Sequence, residues 1–407
     1  MTVAATRVLV VGGSLGGLLA ANVLHRAGHS VQLLERASGS LDGRGAGIVT
    51  HSGLLAALRA AGAAVDHTLG VAVDHRVALD ASGATVARTH YPQVLTSWSR
   101  LYALLREALP AGCLLAGHEV TAVAQHASGV EVDCATGQRF DADLLIASDG
   151  IRSTVRGGLA PSAQPQYAGY VAWRGVCEES VLSAYTRSSL FEFFGFGLPA
   201  GEQMIGYPVA GAGNSVRPGE RRYNFVWYRP ADEAIELPRL MTDTEGRHHP
   251  AGIPPHKVAA AEVARMRAAA RQLLAPQWAE VIDKTVQPFL QPIHDLLSDR
   301  IAFGRIALMG DAAFVARPHV GMGVTKAGDD ALALARAITA HGTTPAALRA
   351  YEAERLLPGQ AVVARARQLG AYLEAQARPG RTPPATRPQR ETMDVLNQTA
   401  IDLAVPA

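Results

Sequence analysis

The sequence predicts an α/β protein in which a parallel-sheet domain receives an inserted, mainly antiparallel β-sheet domain and is followed by a helical C-terminal region. Residues 8–11 form a short apolar run that leads into a glycine cluster, and residues 15–24 then have helical spacing. With a second apolar run at residues 30–35, this opening is typical of a strand–turn–helix–strand unit in a parallel sheet. From residue 167 to residue 228, aromatic and β-branched residues alternate with turn residues, which favours antiparallel strands.

A chain of 407 residues exceeds what one ordinary hydrophobic core covers, so two closely joined domains are expected. Further strands are predicted at residues 120–132, 144–147 and 305–309, and further helices at residues 52–61, 100–109, 256–274 and 324–340. We assign to the first domain residues 1–75, 96–160 and 295–340, to the β-sheet domain residues 76–95 and 161–294, and to C-terminal helices and a tail residues 341–407. The last ~30 residues, rich in proline and arginine at their start, are expected to be loosely held.

The composition is that of a globular protein with nearly balanced charge. Hydrophobic residues make up 48 % of the chain, charged residues 18 %, and the formal net charge is +2. This balance gives no electrostatic reason to expect nucleic acid or an anionic membrane as a partner. The three cysteines, Cys113, Cys134 and Cys177, are too scattered for a disulfide framework or a zinc site, and no other metal-ligand set is visible. The scattered thiols make the cytoplasm the expected compartment, in keeping with a start that lacks a signal-peptide pattern and with the lack of any apolar run near the ~20 residues that span a bilayer.

The first candidate binding motif is the turn GGSLGG between the first strand and the first helix. Such a tight turn requires residues without a Cβ, and a pyrophosphate needs bare backbone at a helix N-terminus. Glu35 ends the second strand 23 residues after Gly12, where a carboxylate can accept the hydroxyls of an adenosine ribose, and Arg36 follows. By itself the motif fits NAD, FAD or a glycine-rich turn without a ligand. Its residues are Gly12, Gly13, Ser14, Leu15, Gly16 and Gly17, with Ser14 at the usual middle glycine.

The second motif is Asp149-Gly150, at the abrupt end of a buried strand. Gly150 would let the backbone approach a phosphate, and Arg156, near the start of the next helix, can engage a pyrophosphate. The alternative is an ordinary strand-to-helix turn in which Asp149 caps the helix.

The third motif is the most specific. A strand runs into Gly310-Asp311, and Pro318, Gly321 and Gly323 then precede a long helix. The Asp311 carboxylate can bind a sugar-like hydroxyl. The helix start presents backbone N–H groups to a partial negative charge, such as the N1–C2=O edge of a reduced flavin. Packing alone does not explain this pattern.

In this order, the three segments resemble the GxGxxG, DG and GD fingerprints of the flavoprotein aromatic hydroxylases, the group related to para-hydroxybenzoate and salicylate hydroxylases. The likeness implies an FAD-binding Rossmann-like domain of the glutathione-reductase type, with the inserted β-sheet domain binding the substrate. The glycine-rich turn, Glu35 and Arg36 would hold the ADP half of FAD. Asp149 and Gly150 would serve both FAD and the incoming nicotinamide nucleotide. Other residues that match flavin-contacting positions are Arg44, Gly47, Ile48, Arg100, Val120, Asp311, Gly321, Met322, Gly323 and Val324.

The resemblance implies a single-component monooxygenase. NADH or NADPH would reduce FAD as a transient co-substrate, since no second strand–GxGxxG–helix unit exists in the sequence. O2 would then form a C4a-hydroperoxide that hydroxylates an electron-rich ring. Segments such as YAGYVAWRG and NFVWY resemble those of members acting on hydroxylated N-heterocycles, so the implied substrate is a hydroxylated N-heterocycle or phenol. The choice between NADH and NADPH stays open.

The substrate is more nucleophilic once its ring hydroxyl is deprotonated, which calls for a nearby base or hydrogen-bond acceptor. The candidates are His51, Tyr207 and His319, the last beside Pro318, and for each a structural hydrogen bond is the alternative. Four large apolar residues are either pocket walls or, as composition favours, core: Phe193, Met204, Trp173 and Trp227.

Two rival functions are considered. A flavin-dependent reductase or oxidase on the same fold would use the cofactor without inserting oxygen into a ring. A non-catalytic binding protein would have no need of Asp311 or of the glycines at 321 and 323, which disfavours it. Monomer and homodimer are both open.

Overall fold

The computed structural model describes residues 6–39, 41, 47–250, 252–376 and 390–403. The strands in these ranges are β1 (Arg7–Val11), β2 (Ser30–Glu35), β3 (Gly47–Val49), β4 (Val71–Leu79), β5 (Thr85–Ser97), β6 (Leu114–Ala116), β7 (Val120–Gln125), β8 (Val130–Cys134), β9 (Arg139–Ala142), β10 (Leu144–Ala147), β11 (Gln166–Glu178), β12 (Phe193–Gly197), β13 (Gln203–Val209), β14 (Arg222–Pro230), β15 (Phe289–Asp295), β16 (Ala302–Phe303) and β17 (Ile306–Leu308). The helices are α1 (Leu15–Arg26), α2 (Ser52–Ala60), α3 (Trp98–Ala108), α4 (Thr154–Leu159), α5 (Ala184–Leu190), α6 (Glu236–Leu240), α7 (Ala260–Leu273), α8 (Pro276–Lys284), α9 (Gly323–His341), α10 (Pro345–Gln376) and α11 (Thr392–Gln398).

The first sheet has six strands in the order β16-β17-β10-β1-β2-β6. All neighbours pair in parallel except β16 and β17, as the continuous apolar runs predict. Val10 in the central strand stands opposite Ile146 on one side and Leu33 on the other, and all three are fully buried. Helices α1, α3 and α9 and the three-stranded antiparallel sheet β7-β8-β9 complete this core. Burying each such side chain stabilises the fold by about 1.5–3 kcal/mol.

The second sheet has eight strands in the order β15-β11-β14-β13-β12-β4-β5-β3. Its neighbours are antiparallel except for β12 and β4. Trp173, Met204 and Trp227 lie on the face that packs against α7 and α8, which confirms their assignment to the core. Phe193 is half-buried beneath the guanidinium of Arg88. Successive side chains of a strand point to opposite faces. The chain neighbours of Trp173, Met204 and Trp227 therefore form the other face of the sheet, which is turned towards the first domain.

The helix boundaries differ little from the predicted ones. The helix predicted at 324–340 is α9, and the one at 52–61 is α2. The helix predicted at 256–274 begins at Ala260 instead, because Pro254 and Pro255 lead into a short 3-10 turn and Ala259 is extended. Within the described ranges, no helix has the length and apolar character that crossing a membrane requires.

The expectation of a loosely held C-terminus was wrong for residues 390–403. This segment contains α11, and its Leu396 is fully buried against the second sheet. Arg76 in β4, also fully buried, donates hydrogen bonds to the carbonyl oxygens of Leu396 and Thr399, both at 2.6 Å, and of Ala400 at 2.9 Å. The proline-rich stretch before the segment dominated its composition and concealed these apolar positions.

Candidate active site

The turn after β1 brings its backbone against the end of β10. Gly12 has φ +102°, and a Cβ placed on it would lie 2.3 Å from the carbonyl oxygen of Ser148. A Cβ on Gly17 would lie 1.8 Å from the carbonyl oxygen of Gly12. Both positions therefore require glycine. Ser14 is the N-cap residue of α1 with φ −81°, a conformation open to any residue, so the middle glycine of the usual pattern can be absent.

Glu35 is oriented at the end of β2 by two backbone amides. Its Oε2 accepts a hydrogen bond from Gly13 at 2.7 Å, and its Oε1 accepts one from Ala37 at 2.8 Å. The carboxylate keeps lone pairs that can accept ribose hydroxyls. It lines a cavity of about 330 Å³ together with other predicted cofactor positions, namely Gly12, Ser14, Arg36, Val120, Asp149 and Gly150.

The segment after β10 leaves one buried carboxylate oxygen of Asp149 without a partner. Its Oδ2 accepts a hydrogen bond from the Val155 amide at 3.3 Å, whereas Oδ1 has no hydrogen-bond partner in the described part of the chain. Burial raises the pKa of Asp149. Arg156, which was expected to engage a phosphate, instead donates to the carbonyl oxygens of Ile151 and Ala312. Arg156 therefore ties the second motif to the third.

A second cavity, of about 350 Å³, lies where the third motif faces the second sheet. Ser14, Trp98, Ser148 and Gly150 line both cavities, so the two form one elongated space. The predicted cofactor positions in this second part are Leu15, Gly16, Gly47, Ile48, Asp311, Gly321, Gly323 and Val324.

Asp311 faces this space with a side chain that is 55 % exposed. Lys326, fully buried in the first turn of α9, has its Nζ 3.9 Å from Asp311 Oδ1, and this Nζ has no hydrogen-bond partner among the residues described. The surrounding protein raises the pKa of Asp311 by desolvation, and the charge of Lys326 opposes that shift. Gly321 has φ +69°, and no side chain caps the start of α9. The first N–H groups of α9 can therefore donate to a partial negative charge.

These features fit FAD. The joined space offers about 330 Å³ beside the phosphate turn and about 350 Å³ beside the second sheet. Residues without a Cβ line the phosphate turn, and Asp149 Oδ1 is a buried acceptor that lacks a donor. Bound FAD would meet backbone N–H groups at the phosphate turn and at α9, where its phosphates and the pyrimidine edge of its ring need them.

Several predicted cofactor positions do not line either cavity. Gly13 and Gly17 belong to the phosphate turn but lie behind its surface. Arg100 donates from Nη2 to Thr68 Oγ1 at 2.8 Å, and Met322 packs in a small apolar cluster with residues of α10. The side chains of Arg100 and Met322 thus contact other parts of the protein, and their contacts with the flavin stay predictions. Arg44 lies outside the described residues.

Of the residues predicted to act on the substrate, the two histidines lie behind the cavity wall. His51 and His319 are 3 % and 1 % exposed, and neither lines the cavity. His51 Nδ1 lies 3.1 Å from Thr325 Oγ1, and His319 Nε2 lies 2.9 Å from the hydroxyl of Tyr170. Desolvation lowers the pKa of both imidazoles. The prediction that they deprotonate the substrate directly is therefore not supported, because neither ring reaches the cavity.

Tyr207 and Pro318 do line the cavity. The ring of Tyr207 stacks on that of Phe194, with centroids 5.0 Å apart and planes inclined by 24°. Burial raises the pKa of Tyr207, so its hydroxyl stays protonated at neutral pH.

Sequence reasoning missed most of the cavity wall that the second sheet supplies. Phe194, Ile205, Val226, Tyr228 and Arg174 line the cavity, whereas their chain neighbours face the helices. The strand period of two was visible in the sequence, but it does not say which face turns inward. Taking Tyr207 as an inward residue would have selected Ile205 on the same strand.

The C-terminal segment supplies another part of the wall that the sequence did not reveal. Thr399 and Ala400 line the cavity. The Ala400 amide donates to the carbonyl oxygen of His319 at 2.8 Å, and Gln93 Nε2 donates to the carbonyl oxygen of Ala400 at 3.0 Å. Ala400 has φ +49°, a conformation that L-residues rarely adopt and that neighbouring contacts must maintain.

The fold and the cavity define a flavoprotein in which a nucleotide-binding domain is joined to a second, mainly antiparallel sheet. A family described as FAD binding domain matches residues 255–366, and one described as FAD binding domain-like matches residues 167–295. The chain is 30 % identical to 2,6-dihydroxypyridine 3-monooxygenase of Paenarthrobacter nicotinovorans over 90 % of this chain and 91 % of that enzyme. It is 30 % identical to aurachin C monooxygenase/isomerase of Stigmatella aurantiaca, over 89 % and 88 %. The chain therefore belongs to the FAD-dependent aromatic hydroxylases and is an FAD-dependent monooxygenase.

Solved structures agree with this assignment. The structure of 2,6-dihydroxypyridine-3-hydroxylase from Arthrobacter nicotinovorans superposes with a TM-score of 0.85 at 29 % identity, over 95 % of this chain and 99 % of that one. Klebsiella pneumoniae HpxO in complex with FAD and uric acid shares the fold, with a TM-score of 0.74 at 23 % identity, over 91 % and 89 %. The family resemblance read from the three motifs is confirmed, and FAD is the cofactor.

Proposed function

We propose that this chain hydroxylates a flat, hydroxylated aromatic or N-heteroaromatic ring, with NADH or NADPH as reductant and O2 as oxidant. The observation that carries this proposal is the wall of the second cavity. Phe194, Tyr207 and Tyr228 give it aromatic surfaces, and two phenol hydroxyls and one guanidinium are among its polar groups. A planar ring with oxygen substituents suits such a wall. Similarity to an enzyme named for a dihydroxypyridine supports the same substrate class.

FAD, when bound, accepts a hydride from the nicotinamide nucleotide and activates O2. The chain's own residues position it and keep the site dry. We propose that the amides at the start of α9 stabilise negative charge at the pyrimidine edge of the ring. Asp311, exposed to the cavity beside them, is suited to accept a sugar-chain hydroxyl.

Tyr207 acts in this proposal as a hydrogen-bonding group and not as a base. Its raised pKa keeps the proton on the phenol oxygen, so it can donate to an oxygen of the substrate ring. Its stacking on Phe194 limits rotation of the ring, so a hydrogen bond from it would also orient the substrate. The neutral imidazole of His319, whose ring centroid lies 4.3 Å from that of Tyr228, supports the wall from behind.

We also propose that the protein works in the cytoplasm as a monomer or homodimer. Its three cysteines are free thiols, which suits a reducing compartment. Sedimentation of the purified protein would distinguish the two assembly states.

The test is a panel of hydroxylated pyridines and hydroxybenzoates with the FAD-loaded protein. We expect some members to stimulate NADH or NADPH consumption and to give a product that contains one oxygen atom from ¹⁸O2. Stimulated consumption without ¹⁸O in any product would instead indicate a reductase or oxidase. Running both nucleotides in parallel identifies the preferred reductant.

A further inference from the structure

Arg174 brings a guanidinium group to the wall of the substrate cavity. It lies on β11, is half-buried, and lines the second cavity together with Gln291 of β15. Its Nη1 donates to Gln291 Oε1 at 3.0 Å, which orients the guanidinium plane. Its Nε is buried and has no hydrogen-bond partner in the described part of the chain. A buried guanidinium donor without an acceptor is uncommon in folded proteins and calls for an explanation.

Two arginines near Arg174 in the sheet are paired with carboxylates, whereas Arg76 and Arg222 donate to backbone carbonyl oxygens. Arg221 contacts Glu179 at 3.0 Å and Arg229 contacts Glu202 at 2.9 Å. Within the described ranges, Arg174 forms no ion pair. Its positive charge is therefore available to a ligand in the cavity.

The groups around Arg174 do not neutralise this charge. Val226 stands opposite it on β14, and Ile205 stands opposite Val226 on β13, so its cross-strand neighbours are apolar. The charge of Arg174 lowers the pKa of Tyr207 and Tyr228, which places it close to both phenols. Burial outweighs that effect and raises the pKa of Tyr228 to about 12, so these phenols stay uncharged. Because Arg174 is half-buried, solvent screens its charge less than the charge of a fully exposed arginine, which favours binding of an anion.

We propose that Arg174, oriented by Gln291, binds an oxyanion substituent on the ring of the aromatic substrate, either a carboxylate or an ionised ring hydroxyl. This inference rests on the proposed function, according to which the substrate ring already carries a hydroxyl group. Arg174 is then a specificity-determining residue: it selects substrates that enter the cavity as anions and fixes the ring relative to Tyr207. A guanidinium suits this task because its planar donors can pair with the two oxygens of a carboxylate or converge on the one oxygen of an ionised hydroxyl.

The experiment measures ligand binding to the oxidised, FAD-loaded protein by calorimetry, without turnover. One pair of probes is 6-hydroxynicotinate and its neutral carboxamide, and the other is 2,6-dihydroxypyridine and its dimethyl ether. The variants are Arg174→Gln, which removes the charge, and Arg174→Lys, which keeps the charge but loses the planar donors. Arg88→Gln is the control. Arg88 lies in the same sheet and is exposed, and its replacement changes the net charge by the same amount.

We expect Arg174→Gln to weaken binding of the anionic probe by roughly 10- to 100-fold, the usual effect of losing a charged hydrogen bond, and Arg174→Lys to weaken it less. Neutral probes should change little, and Arg88→Gln should leave all affinities unchanged. An effect confined to the nicotinate pair identifies a carboxylate, and one confined to the pyridine pair identifies an ionised ring hydroxyl.

Equal loss for anionic and neutral probes would overturn the proposal, since Arg174 would then act only on the shape of the cavity. Wild-type protein that binds each neutral probe as tightly as its anionic counterpart would overturn it as well, whether or not the variants fold. Because these measurements involve no oxygenation, they are independent of the ¹⁸O result. If the protein prefers the anionic probes but inserts no oxygen, the anion site at Arg174 stands and the proposed hydroxylation is wrong.

Discussion

The phenol ring of Tyr207 lies directly against the backbone of Gly47. A Cβ added to Gly47 would lie 2.4 Å from Cε2 of Tyr207 and 2.8 Å from its hydroxyl oxygen. The amide of Gly47 donates to Asn224 Oδ1 at 2.9 Å, so β3 cannot move away without losing that buried hydrogen bond. A strand that lines the predicted flavin position thereby sets the position of a residue in the substrate wall.

Replacing Gly47 with alanine should displace the Tyr207 ring. Forcing a methyl group into a packed site costs about 1–3 kcal/mol, and the smaller readjustment is rotation of the ring into the cavity. We expect substrate-stimulated NAD(P)H oxidation to fall at least about tenfold, the rate equivalent of about 1.4 kcal/mol. Gly39→Ala is the control, because no atom of the described residues outside its immediate chain neighbours lies within 4 Å of a Cβ at that position. Normal activity of Gly47→Ala would mean that the ring position is unimportant.

Removing only the hydroxyl of Tyr207 tests its role in orienting the substrate. Tyr207→Phe keeps the stacking on Phe194 but removes the hydrogen-bond donor. We expect NAD(P)H consumption to continue while product formation falls and H2O2 rises, since a poorly oriented ring is attacked less often. The ratio of product to NAD(P)H consumed measures this, and an unchanged ratio would remove Tyr207 from the mechanism.

Asp311 is predicted to hold FAD. Asp311→Ala removes a carboxylate exposed to the cavity and leaves the buried Lys326 without its nearest acid. Loss of a charged hydrogen bond weakens binding by roughly 10- to 100-fold, so the variant should be purified with little flavin. Fluorescence titration with FAD measures the dissociation constant. Asp299→Ala, at an exposed position, is the control, and a fully yellow Asp311→Ala protein would contradict the assignment.

Arg76 attaches the C-terminal segment to the cavity wall. Its guanidinium donates to three backbone carbonyls of residues 396–400 and to Gln93 Oε1, and burial lowers its pKa to about 10. Arg76→Met leaves these buried acceptors without donors, so we expect a loss of about 3 kcal/mol in the free energy of unfolding. Urea denaturation measures that loss, and hydrogen exchange should locate increased opening in α11. Similar protection of α11 in both proteins would mean that apolar packing alone retains the segment.

His319 should make the protein sensitive to acid. Burial holds its pKa well below the ordinary value of 6.5, so the folded protein keeps the ring neutral where the unfolded chain would protonate it. The stability that His319 contributes is therefore present above pH 6.5 and is lost as the pH falls further. His51 acts in the same direction, whereas the raised pKa of Asp329, about 6, acts in the opposite one.

Melting temperatures at about pH 7.5 and about pH 5.5 test this dependence. The decrease on acidification should be smaller for His319→Gln than for the wild type. His51 and Asp329 are present in both proteins, so the difference between the two decreases reports on His319. Equal decreases would show that the His319 ring is protonated without penalty.

The nucleotide-binding half could be predicted from the sequence because its motifs depend on residues that are close together in the chain. The glycines at positions 12 and 17 and the acid at position 35 belong to one strand–turn–helix–strand unit, in which spacing along the chain sets spacing in space. Asp149 and Asp311 could be proposed for the same reason, since each follows a buried strand of the parallel sheet, and both line the cavities. The sequence suggested His51 and His319 by residue type but did not reveal that both side chains are buried, so their role stays a prediction.

The sequence by itself determined the parallel sheet, the phosphate turn, the cofactor class and the alternation of the second sheet, since each follows from contacts between residues near one another in the chain. Only the tertiary structure decided which face of the second sheet lines the cavity and that Thr399 and Ala400 complete its wall. It also showed that Arg174 has no acidic partner within the described ranges. Those features depend on pairing between distant segments, such as Arg76 with Thr399. Periodicity restricts such pairings but does not choose among them.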